Sequence, residues 1–79
     1  MKFDWKSDRA GLVCNMLNAQ YSVYSRGGKW YGGYHHPPHS NFEVLVYGCN
    51  SKDDARKDME RIMGVILLEV RLSPPIPVR

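Results

Sequence analysis

The chain is short of the features that would announce a chemistry. Its 79 residues include two cysteines, Cys14 and Cys49, too few and too unpatterned for a disulfide framework. Two reduced, partly buried thiols are the simplest reading. No apolar run approaches the roughly 20 residues of a membrane-spanning helix, so no membrane association is expected. The opening MKFDWKSDR lacks the apolar stretch of a secretion signal, which predicts a cytoplasmic protein. No nucleophile elbow, phosphate-binding loop or paired-carboxylate pattern occurs, so no enzymatic activity and no cofactor are expected. Charge of one sign is also scarce. The net charge is +3 and the Lys and Arg residues are interleaved with acids, a balance that tolerates an acidic partner without demanding one.

What remains is the composition of a small globular domain, 43% hydrophobic and 24% charged, with material for one core. Residues 1–72 read as a single α+β domain and 73–79, SPPIPVR, as a proline-rich mobile tail. The clearest element is an amphipathic helix over about 51–66. Ala55, Met59, Ile62, Met63, Ile66 and Leu67 recur on one helical face. Ser51 is a natural N-cap, Asp53 and Asp54 suit the positive end of the helix dipole, and Asp53 precedes Lys57 by one turn. Gly64 reads as a helix-ending glycine, after which VILLEVRL (65–72) would form a short strand.

Upstream, residues 8–19 read as a short helix begun by Asp8, with a strand from Gly11 to Met16 as the competing reading. YSVYSR and KWYGGYH flank Gly27-Gly28, the signature of a two-residue hairpin turn. The period of two then puts Tyr21, Val23, Trp30 and Tyr34 on the core side and Tyr24, Arg26, Lys29 and Tyr31 on the other. Gly32 and Gly33 mark a bulge or a close backbone approach. FEVLVYG (42–48) reads as a third strand, with Phe42, Val44 and Val46 inward and Glu43, Leu45 and Tyr47 outward. The whole predicts a three- to four-stranded, mainly antiparallel sheet with the helix across one face.

His35, His36 and His39 invite a zinc reading with Cys49. Adjacent histidines on an extended chain point apart, however, and a proline-stiffened loop accounts for them without metal. The tail fits the PxxPxR pattern of ligands for SH3 domains; short proline motifs of this kind also arise by chance. The better candidate is the hairpin's outer face. Tyr24, Arg26, Lys29 and Tyr31, with Tyr47 alongside, would form an aromatic and basic patch, extended by Arg56, Lys57 and Arg61 from the helix. Tyr and Arg in such company suit protein hot spots or nucleic-acid contacts. The competing reading is that the tyrosines pack under the N-terminal helix or simply cover the sheet.

VYSRGGKW (23–30) followed by SKDDARKD (51–58) resembles the three-strand-plus-helix DNA-binding domains of integrase arms and plant ethylene-response factors. That likeness implies DNA contacts from Arg26, Lys29 and Trp30. An α-β-β-β-α order ending in Ser51, Lys52, Ala55 and Arg56 is similar to double-stranded RNA-binding domains, and implies phosphate contacts at the helix start. In size and layout the chain also resembles the small phage-encoded inhibitors of host defence, anti-CRISPR proteins among them, which dock on a larger machine and obstruct it. The expectation is a non-enzymatic inhibitor or adaptor that binds a larger protein or nucleoprotein complex, with nucleic-acid binding through the same face as the alternative.

Overall fold

The computed structural model describes residues 2–38 and 41–72, with side chains described as far as Glu69. The chain runs β1 (Lys6–Ser7), β2 (Gly11–Met16), β3 (Ala19–Arg26), β4 (Lys29–His35), β5 (Glu43–Cys49) and α1 (Lys52–Leu72). The strands form one antiparallel sheet in the order β1-β2-β3-β4-β5. The fold is therefore α+β, with five strands instead of three or four. The proposed SH3 ligand and the mobile tail fall at 73–79, outside the described residues, as does His39.

The short helix expected over 8–19 is not formed; the competing reading, a strand from Gly11 to Met16, is adopted as β2, with a turn on either side. Asp8 does not cap a helix. Its Oδ1 accepts from the backbone N–H groups of Ala10 and Gly11, at 3.0 and 2.8 Å, closing the turn from β1 to β2. Leu12, Cys14 and Met16 then alternate toward the core, a period of two that the helical reading had to ignore. The next turn is carried by Leu17 and Asn18 at φ 53° and 62°. Asn tolerates that conformation but Leu rarely adopts it, so nothing in the sequence marks this hairpin. The α-β-β-β-α order of the RNA-binding likeness is accordingly not adopted.

The Gly27-Gly28 hairpin forms as its sequence predicts. Both glycines have positive φ, and Arg26 pairs with Lys29, Tyr24 with Tyr31 and Tyr21 with Tyr34. Strand β5 departs from simple alternation. Its register against β4 shifts between Trp30 and Gly32 and again between Gly32 and Gly33, so extra residues bulge out of β5. In consequence Leu45, expected outward, packs against the core with Val46. Phe42, expected inward, lies against Tyr24 and His35 on the opposite face. Val44, also expected inward, stands opposite Gly33 in that outer row.

Helix α1 crosses the other face of the sheet. Ala55, Met59 and Met63 are completely buried against Cys14, Ala19, Tyr21, Val23 and Val46, with Ile62 and Ile66 packed at the margin. Burying one such methionine contributes about 1.5–3 kcal/mol. A Cβ on Gly32 would run into the Met59 side chain, so this glycine lets the helix settle on β4. Ser51 caps the helix by accepting from the Asp54 N–H at 3.1 Å. The helix does not end near 63–66, and 65–72 is not a strand. Gly64 is not among the residues with positive φ, so it forms no left-handed cap, and α1 continues to Leu72. The N-terminal segment completes the core: Phe3 and Trp5 pack against it, and the Trp5 indole N–H donates to Glu60 at 2.9 Å. Among the described residues no helix is long and apolar enough to cross a membrane.

Candidate binding surface

With α1 on one face, the opposite face of β3, β4 and β5 has no covering element among the described residues. Strand alternation and the straight Arg26–Lys29 register place Tyr24, Arg26, Lys29 and Tyr31 there. Tyr24 and Tyr31 stack across the strands with centroids 5.7 Å apart and planes 21° from parallel. Phe42 and Tyr24 meet edge to face with centroids 5.6 Å apart, and the His35 and Phe42 ring centroids are 6.4 Å apart. Gly33 makes this possible. A Cβ at that position would stand 2.6 Å from the Phe42 ring, so the glycine is the floor on which the ring rests. Tyr47 is 71% exposed and anchors its hydroxyl by donating to the Val44 carbonyl at 3.0 Å.

Basic groups rim one end of this row. Arg26 is exposed at the hairpin turn, and Lys29 donates from Nζ to the neutral Asn50 Oδ1 at 2.7 Å. Arg9, in the turn before β2, lies toward the same end, because Gly11 pairs with Tyr24 two residues from Arg26. Among the described residues none of these three has a carboxylate partner. Burial lifts the Tyr24 phenol above its ordinary range, partly countered by Arg26 and reinforced by Tyr31 and Tyr47. The Tyr24 phenol is therefore a neutral hydrogen-bonding tip at physiological pH.

Arg56, Lys57 and Arg61 do not join this surface. They ride on α1, across the sheet from the tyrosines, and each is neutralised on its own helix. Arg56 bridges Asp53 and Glu60, Lys57 also reaches Asp53, and Arg61 pairs with Asp58. Trp30 is likewise on the helix side, packed against the core with Lys52 Nζ 5.7 Å from its ring centroid. The tryptophan that the DNA-binding likeness assigned to DNA is thus turned away from the open face.

Sequence reasoning missed Phe42, whose place on this face depends on the bulges in β5, and Arg9, hidden by the helical reading of 8–19. The GG pair at 32–33 was the available signal for the first. Among the described residues no three His, Cys, Asp or Glu side chains converge as a metal site requires. His36 contacts the Asn18 carbonyl at 3.3 Å. Burial raises the thiol pKa of both cysteines, with Asp58 adding to the effect at Cys49. Comparison with family models, curated proteins and solved structures finds no match.

Proposed function

We propose that the protein is a non-enzymatic binding module that docks through Tyr24, Arg26, Lys29, Tyr31 and Tyr47, joined by Phe42, on a larger protein or nucleoprotein complex in the cytoplasm. The observation that carries this reading is the uncovered sheet face, where a stacked aromatic row adjoins cations without carboxylate partners. Rigid aromatic side chains held by their neighbours lose little entropy on binding, and Tyr and Arg dominate interface hot spots. A module of this size acts by obstruction: seated on a partner, it blocks the surface it covers. An inhibitor of the anti-CRISPR type is the form of this role that the chain's size and layout favour. An Arg26→Glu/Tyr31→Ala double variant that folds normally is expected to lose partner binding, and full binding by that variant would refute the site.

Direct nucleic-acid binding by the same face is the second reading, favoured by Arg9, Arg26 and Lys29 at its rim, none of which has a carboxylate partner among the described residues. The two separate on salt. Phosphate-dominated binding weakens steeply with ionic strength, whereas a hot-spot interface is less sensitive.

A further inference from the structure

The charge of this molecule is divided between its two faces. Every ion pair among the described side chains lies within α1, so Arg56, Lys57 and Arg61 are neutralised on their own helix. The cations at the turn end of the sheet are not. Beside them, an open groove of about 400 Å³ runs between the β1–β2 turn and the aromatic row, lined in part by Asp8, Ala10, Ser22, Tyr24, Arg26 and Phe42. Asp8 is the acid in this groove, and one of its oxygens is already engaged by two backbone N–H groups. Arg26 lines the same groove without a carboxylate partner. The site therefore offers an apolar seat with an available guanidinium at its edge, the geometry that takes a carboxylate in a charge-assisted pair.

We propose that the occupant of this face is an acidic peptide segment of a protein partner, with an apolar side chain in the groove beside Tyr24 and Phe42 and a carboxylate on Arg26. The inference rests on the binding reading above and names the chemistry of the partner. Nucleic acid fits the face less well. Base stacking needs a free ring face; Tyr24 and Tyr31 each give one face to the other and Phe42 closes on Tyr24, which reduces stacking to the exposed Tyr47 ring and the outer side of Tyr31. Arg26 and Lys29 pair at one end of the row, and Lys6 stands apart on the edge strand in register with Val13 and Ser22, so the cations form no continuous track along it. Their long-range attraction would accelerate encounter with an acidic surface, and the aromatic row would hold the complex once formed.

Selection of short random displayed peptides on the full chain, at physiological salt, tests this. The expected result is enrichment of Asp or Glu close to a Leu, Phe, Tyr or Trp. Binding of the enriched peptides should weaken about tenfold or more in Arg26→Glu, and be restored in part when the peptide's acids are exchanged for Lys. Tyr24→Ala/Tyr31→Ala should also lose it. Enrichment of neutral peptides that depend on the tyrosines but not on Arg26 would overturn the acidic assignment and leave the docking face standing. Peptides that bind the tyrosine double variant as well as the parent would overturn both. No enrichment, or displacement of the peptides by a mixed-sequence single-stranded oligonucleotide bound at the same salt, would overturn the acidic-peptide assignment.

Discussion

The β3–β4 hairpin carries two stacked tyrosine pairs of almost the same geometry on opposite faces. Tyr21–Tyr34 stack at 5.5 Å and 22°, and Tyr24–Tyr31 at 5.7 Å and 21°. The strand register produces both, since each pair stands directly opposite across the ladder. What differs is the cover. Tyr21 lies under α1 at 3% exposure, and the Tyr34 hydroxyl donates to Glu43 at 3.0 Å, which raises its pKa. Tyr24 and Tyr31 have no helix above them. The first pair belongs to the fold's stability, and the second is available for contact. A cross-strand stack is thus no guide to role until the layer above it is known.

The sharpest way to break this comparison is to truncate one member of each pair. Tyr21→Ala should destabilise by about 3–5 kcal/mol, the cost of emptying a large buried aromatic site. Tyr24→Ala should cost about 1 kcal/mol or less. Urea unfolding of both variants checks the contrast, and equal losses would mean that the two faces are equally structural. Next in size is Met59→Ala, which removes the fully buried side chain over Gly32 and should cost about 2–5 kcal/mol. Its unfolding midpoint should fall while the Tyr24–Tyr31 face keeps any binding it has at temperatures where the variant is folded.

Arg26→Glu should sharpen the comparison from the other direction. Its stability should stay within about 0.5 kcal/mol of the parent, as at most exposed positions, while binding through the tyrosine face is lost. The smallest effect concerns pH on the helix face. Hydrogen bonds from Arg56 and Lys57 hold the Asp53 carboxyl below its ordinary range. Folding therefore favours the ionised form, and this contribution is present above the ordinary aspartate pKa and fades as pH falls through the lowered one. Asp53→Asn should flatten that part of the acid unfolding curve. An unchanged acid limb would show the pair to be energetically idle, as exposed pairs often are.

The elements legible in the sequence were those whose signals are local. The 51–66 stripe, the Ser51 cap, the Asp53–Lys57 pair and the Gly27-Gly28 turn all involve residues within a turn or two of one another, and all are present. From that turn, counting in twos gives the placement of Tyr24, Arg26, Lys29 and Tyr31. The misreadings required knowledge of distant contacts. Leu17-Asn18 turns the chain without a glycine because β2 and β3 pair on either side of it. Gly64 stays helical because Ile62, Met63 and Ile66 remain on the core, although glycine alone costs a helix about 1 kcal/mol. The inversion of Phe42 and Leu45 arises from β5 slipping against β4, and a period-two reading cannot detect a bulge it has not been given. Arg56, Lys57 and Arg61 left the site for a related reason: the sequence offers their charge but not the face on which the helix sits.

The central claim is that the uncovered tyrosine face, and not the helix, is the binding surface. Mapping of backbone amide NMR shifts on titration of the labelled protein with its tightest-selected peptide tests it most directly. The helix supplies a rival, a groove with Phe3, Gly64, Val65 and Leu68 in its lining and Lys57, Glu60 and Arg61 beside them. The account predicts that the largest shifts fall around Tyr24, Arg26, Lys29, Tyr31 and Tyr47, with those along α1 near zero. Shifts concentrated on the helix from Lys57 to Leu68, with the tyrosine strands silent, would contradict it.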